Sequence, residues 1–194
     1  MKRAVILAIL LIIIGVLLIL QSVSQESPSV PTANATNTIS GTQELVPNEQ
    51  DLQQLGMASA GTGCRTEEYQ TGEYSTLAQY SFCNYTISSL NDTEVVIELK
   101  KYTNFEDLNG SYQYDSLHLY SAEGLISENV YGDLSRFRVS NEHDYMGHLN
   151  EPGIYYYHLW IVENPYLIHI TSKGIIEAEE HIAGIGQRIL SKFG

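Results

Sequence analysis

Among the side chains able to do chemistry, the six histidines stand out. An imidazole is both a proton carrier near neutral pH and the commonest metal ligand. His143, Asp144 and His148 share a polar segment with Asn141, Glu142, Asn150 and Glu151, a spacing that could offer a cation oxygen and nitrogen donors. No His-Glu-x-x-His and no Cys/His zinc pattern accompanies them, so the segment reads as a solvated loop and no metal or other cofactor is expected. Glu177 and His181 stand one helical turn apart and read as a surface pair. Nucleophilic chemistry lacks its signatures. There is no Gly-x-Ser-x-Gly, no glycine-rich phosphate loop after a strand, and no cysteine beside a base. No catalytic residue is named, and the chain does not read as an enzyme.

His158 and His169 are placed differently, in an aromatic stretch around Trp160. Ile154 to Glu163 and Tyr166 to Thr171 read as two strands about Asn164-Pro165, which predicts a hairpin. The expected register sets Trp160 opposite His169 and His158 opposite Thr171. One face then carries Tyr157, Leu159, Ile161, Ile168 and Ile170, and belongs to the core. The other carries Tyr156, His158, Trp160, Leu167 and His169. With helices only on the first face, Tyr156, His158, Trp160 and His169 form an open aromatic binding face for a ligand or partner. The competing reading is that a further layer covers it.

The remaining elements must hold that hairpin. Pro47-Asn48-Glu49 opens a short helix ending near Gly56, and Met57 to Gly63 is small and flexible. Tyr80 to Ile87 and Thr93 to Tyr102 read as strands joined by a turn over Ser88 to Asp92. In the second, Val95, Ile97 and Leu99 face the core, while Glu94, Glu98 and Lys100 face mostly water. Thr103-Asn104-Phe105-Glu106 is a capping box before a helix to about Tyr120, with Leu108, Tyr112 and Leu119 on one face. Gly132-Asp133 marks a turn. Ser135 to Ser140 alternates, with Phe137 and Val139 inward and Arg136 and Arg138 outward. A last helix over Ile175 to Phe193 buries Ile175, Ala178, Ile182, Ile185, Ile189 and Phe193. The order β-β-α-β-β-β-α predicts an α+β fold, an antiparallel sheet with helices packed on one face.

Upstream lies a different kind of sequence. Residues 1–3, Met-Lys-Arg, precede an unbroken apolar run over residues 4–20. Seventeen helical residues span about 25 Å against a hydrocarbon core of ~30 Å. Two readings are open: an uncleaved signal anchor with its cationic end inside, or a secretory signal cut after Ser22-Val23-Ser24. The length of the run favours the anchor, which predicts a single-pass protein of the cell membrane with everything from Gln21 outside. Residues 21–45 are rich in Ser, Thr, Asn and Pro without apolar periodicity, and predict a flexible tether to a domain over residues 46–194. The net charge is −13. Lys2 and Arg3 set aside, 8 cations face 23 anions, which argues against nucleic acid as a partner.

Cys64 and Cys83 are the only cysteines, and an even count in an exported domain favours a disulfide over two separate buried thiols. Four Asn-x-Ser/Thr sequons occur, at Asn34, Asn84, Asn91 and Asn109. Asn34 in the tether and Asn91 at a hairpin tip are the accessible glycosylation candidates.

The block Lys101-Tyr102-Thr103-Asn104-Phe105-Glu106, then Gly132-Asp133-Leu134-Ser135, the Tyr155 to Thr171 hairpin and the Arg188-Ile189 ending form a layout over about 100 residues. It resembles small α+β extracytoplasmic domains of prokaryotic membrane-anchored surface proteins, of the photosystem-accessory PsbP and Mog1 type. That resemblance implies a non-enzymatic accessory or binding domain and carries no catalytic residues. Arg3-Ala4-Val5-Ile6 also resembles the cleavage site of archaeal pilin-type signals, without the glutamate usual early in a pilin helix. The expected function is a membrane-anchored binding or accessory domain that meets another envelope protein or a small ligand. The alternatives are a structural subunit of a surface or pilus-like assembly, and a secreted hydrolase.

Overall fold

The computed structural model describes residues 38–70, 76–118, 124–140 and 153–194. The expected anchor over residues 4–20, Asn34, the His143 and His148 segment and Leu119 lie outside these. Among the described residues no helix is long and apolar enough to cross a membrane.

Seven strands form one antiparallel sheet: β1 (Ser59–Glu68), β2 (Leu77–Ile87), β3 (Thr93–Tyr102), β4 (Gly124–Glu128), β5 (Leu134–Ser140), β6 (Tyr155–Glu163) and β7 (Tyr166–Gly174). Their spatial order is β1-β2-β3-β7-β6-β5-β4. Two meanders therefore meet at the β3–β7 junction. Helix α1 (Thr42–Leu45) and helix α2 (Glu49–Gln54) precede the sheet. Helix α3 (Phe105–Leu117) follows β3, and helix α4 (Ala178–Leu190) closes the chain. The class is α+β with an antiparallel sheet, as expected.

The expectation that helices cover one face is corrected. Ile182, Ile185 and Ile189 of α4 pack with Leu159, Ile161, Ile168 and Ile170. Leu108 and Tyr112 of α3 pack on the opposite face with Tyr102, Trp160, Val162 and Leu167. The physical reason lies in β6, where Leu159, Trp160, Ile161 and Val162 are all buried in succession. A continuous apolar run marks a strand covered on both sides, whereas alternation marks one covered face. The chain supplies the second cover as it passes from β3 at the sheet centre to β4 at the far edge. Gly186 lets α4 approach closely, since a Cβ there would come within 2.9 Å of Leu159 Cδ2 and 3.0 Å of Ile161 Cδ1.

Other boundaries shift too. The Met57 to Gly63 stretch is not a flexible linker: Met57 is buried and Ser59–Glu68 forms β1, paired along its length with β2. Its small, polar composition hides a strand that, among the described residues, has a partner on one side only and little apolar side chain to bury. The packed region also begins before Val46, because Thr42 and Leu45 are buried and Tyr166 Oη donates to the Ile39 carbonyl at 3.0 Å. β4 is an addition to the expected strands. The cap of α3 falls one residue later than the sequence box: Asn104 Oδ1 accepts from the Asp107 amide at 2.9 Å. Asn48 and Asp51 form a reciprocal box at α2. Gly132 adopts φ +55, and a Cβ there would lie 2.5 Å from the Val162 carbonyl oxygen, so the expected turn requires glycine.

Candidate functional site

The hairpin register is the one the spacing predicts, with Trp160 opposite His169 and His158 opposite Thr171. His158 and His169 are therefore diagonal neighbours on one face, close enough for long rings to meet. The Trp160 and His169 rings stack with centroids 4.6 Å apart, His158 stacks on Trp160 at 5.4 Å, and the two imidazoles lie 5.6 Å apart. Trp160 is only 1 % exposed, which corrects the open aromatic face. α3 lies over it because Leu108 and Tyr112 need an apolar surface of their own. Among the described residues, the indole Nε1 of Trp160 is buried without a hydrogen-bond partner.

A cleft of about 390 Å³ remains between the C-terminal half of α3 and the sheet. His158, Trp160 and His169 form its floor, and Tyr114 and Asp115 of α3, with His118 just after it, one wall. Tyr156 shares the strand face, is half-buried, and does not line the cleft. β3, which pairs with β7, adds Glu98 and Lys100. Alternation in β3 points both toward water. They are instead partly sheltered by the crossing helix, as are Arg136 and Arg138 on β5.

These groups are linked. Tyr80 Oη donates to Glu98 Oε1 at 2.7 Å, and His169 Nδ1 donates to Glu98 Oε2 at 2.9 Å. His169 Nε2 then lies 3.4 Å from His158 Nδ1. A Tyr80–Glu98–His169–His158 chain thus crosses from β2 to β6. The hydrogen bond from His169, opposed by burial and helped by its charge and by Tyr80, holds the Glu98 carboxyl down at about 2. Burial, with the charges of His169 and Arg138, pushes His158 down to about 3, so its imidazole is neutral at physiological pH. Burial and Glu98 raise the Tyr80 phenol. Lys100 pairs with Asp115 at 3.3 Å. Arg136 binds Glu128 at 2.7 Å, and Arg138 donates to the Ser116 carbonyl at 3.0 Å, which ties α3 to β5. His118 Nδ1 donates to the Tyr114 carbonyl at 2.8 Å.

The arrangement can fix a small polar ligand against rigid rings. Among the described residues, no group of three or more His, Cys, Asp or Glu side chains is gathered for a metal. Sequence reasoning found three of the floor residues and missed Glu98 and Tyr80. Alternation fixes the face of β3 but not that β3 lies beside β7.

The other expected sites are simpler. Cys64 and Cys83 form a disulfide between directly opposed positions of β1 and β2, with Cα atoms 4.2 Å apart. Asn91 is exposed at the β2–β3 turn with φ 52, while Thr93 of the same sequon is buried and donates to the Leu90 carbonyl. His181 Nδ1 contacts the Glu177 carbonyl rather than its carboxylate. No protein-family model matches the chain, and no curated protein is significantly similar to it.

Proposed function

We propose that this chain is a membrane-anchored, extracytoplasmic binding domain whose ligand is a small polar molecule or ion held in the cleft under α3. The observation that carries this reading is the cleft itself. Its volume, about 390 Å³, falls in the range of small-ligand sites, and polar groups converge on a ring-lined floor. The burial of Trp160 removes the flat aromatic patch that a protein partner would have used, and so favours a small ligand. The apolar run over residues 4–20 behind Lys2 and Arg3 supports anchoring, and the disulfide suits an oxidising compartment outside the cytoplasm. A domain of this acidity is suited to cationic or neutral ligands rather than to phosphate backbones.

Trp160 is the only tryptophan and stacks on His169, so its fluorescence reports on the cleft floor. The test is a screen of small metabolites and inorganic ions against the full-length chain in mild detergent, read by Trp160 emission and by melting temperature. Ligands of one chemical class should change both, and the change should vanish in His158→Gln. A chain indifferent to every class, yet recovered from its native membrane with a stoichiometric protein partner, would refute the small-ligand reading.

A further inference from the structure

The ligand-binding reading of the cleft, on which this inference rests, can be sharpened to a specific chemistry. We propose that His158 Nδ1 and His169 Nε2 together bind a single zinc ion at the floor of the cleft, with its remaining positions open to water or to a bound ligand.

The separation of the two nitrogens selects the geometry. Zinc–imidazole bonds of about 2.0–2.1 Å at a tetrahedral angle put the two nitrogens roughly 3.3–3.4 Å apart, and a right angle would put them at about 2.9 Å. The observed 3.4 Å matches the tetrahedral separation. Zinc accepts tetrahedral nitrogen coordination, whereas square-planar and octahedral ions need the closer spacing.

The surroundings prepare the donors. His169 gives its Nδ1 hydrogen to Glu98, which Tyr80 fixes from the other side, and this leaves Nε2 as the metal-binding nitrogen. An imidazole oriented by a carboxylate is the recurrent support of a metal-ligating histidine. In the metal-free protein the hydrogen between the rings sits on His158 Nδ1 when His169 is neutral. Metal binding moves that hydrogen to His158 Nε2, the other tautomer; if His169 is charged, its Nε2 hydrogen is released to solvent instead. Stacking on Trp160 locks both rings on paired strands, so little order is lost on binding.

The charges near the site are Glu98, Lys100 and Asp115 on the cleft wall and Arg138 on β5. Lys100 is paired with Asp115, and Arg138 donates to the Ser116 carbonyl, so Glu98, hydrogen-bonded to His169, is the anion nearest the two imidazoles. His118 lines the same cleft with its Nε2 free of the Tyr114 bond. The described residues gather no three-ligand set, so the site is an open one that captures zinc together with a co-ligand.

The test is calorimetric titration of zinc chloride into the chelator-treated full-length chain in detergent, paired with cobalt substitution and visible absorption spectroscopy. One zinc per chain at micromolar Kd and a tetrahedral cobalt spectrum are expected. His158→Gln and His169→Gln should each weaken binding at least about ten-fold, and Glu98→Gln about ten-fold through lost orientation. A His143→Gln/His148→Gln variant should bind as the parent does. Circular dichroism checks folding, and His158→Gln decides the matter if His169→Gln fails to fold. Absence of micromolar binding, or binding that survives loss of His158 or follows His143 and His148, overturns the proposal. Zinc failure with organic ligands still shifting Trp160 overturns zinc alone. Failure of both overturns the cleft reading as well.

Discussion

His169 donates to Glu98 at 2.9 Å across the β3–β7 junction, the one seam where the two meanders of the sheet are joined. The bond ties a strand of the first half of the chain to a strand of the second, 71 residues away. Tyr80, on β2, accordingly supports the seam from the next strand by holding the other carboxylate oxygen. Hydrogen bonds to charged groups contribute about 1.5–3 kcal/mol, more than neutral ones. Tyr80→Phe should therefore lower the unfolding free energy by about that amount. Urea denaturation followed by Trp160 emission measures it, and an unchanged midpoint would show that the phenol is dispensable.

Asp51 makes the corresponding link for the helices. It is 2 % exposed, capped by Asn48, and bound by Arg188 at 2.7 Å and Lys192 at 3.1 Å. Burial works against its charge, yet the Asn48 amide, Arg188 and Lys192 together hold its carboxyl below the ordinary range. A depressed folded pKa gives stability that is complete above the unfolded value of about 3.9 and declines as pH falls through the folded value. The protein should lose stability on acidification below about pH 4. Asp51→Asn should flatten that acid limb and destabilise the domain by about 1.5–3 kcal/mol at neutral pH. Melting temperatures measured from pH 2 to 7 on both chains test this.

Two glycines should respond to alanine in opposite directions. Gly110 sits within α3, and a Cβ added there would meet nothing within 4 Å, so Gly110→Ala should stabilise by roughly 0.5–1 kcal/mol through helix propensity. Gly186 lies against Leu159 and Ile161, and Gly186→Ala should destabilise by about 1–3 kcal/mol through overpacking. Thermal unfolding of the two variants side by side separates propensity from packing.

The Cys64–Cys83 bridge closes a sequence separation of 19 and pins β1 to β2. Alkylation without reductant should label no thiol, and reduction should cost about 3 kcal/mol in the chain-entropy model. Loss of the bridge should loosen β1 first, because among the described residues it is paired on one side only and its residues from Gly63 to Glu68 are exposed. Amide exchange in the reduced protein should quicken there and leave β6 and β7 protected.

Local pattern alone determined much of this protein. Alternation in Thr93–Tyr102 yields the faces of that strand, and the Asn164-Pro165 turn between Tyr155–Glu163 and Tyr166–Gly174 yields the register that aligns Trp160 with His169. The apolar stripe of α4 was legible because helical periodicity depends only on neighbours along the chain. The tertiary structure decided which faces are covered and which strands touch. Leu108 and Tyr112 announce that α3 has a buried side, but only the path from β3 to the far edge at β4 lays that side over Trp160. Glu98 looked like a solvent-facing carboxylate for the same reason. Its partner His169 belongs to a strand whose position beside β3 is set by the closing of two meanders into one sheet, and no local period encodes that pairing.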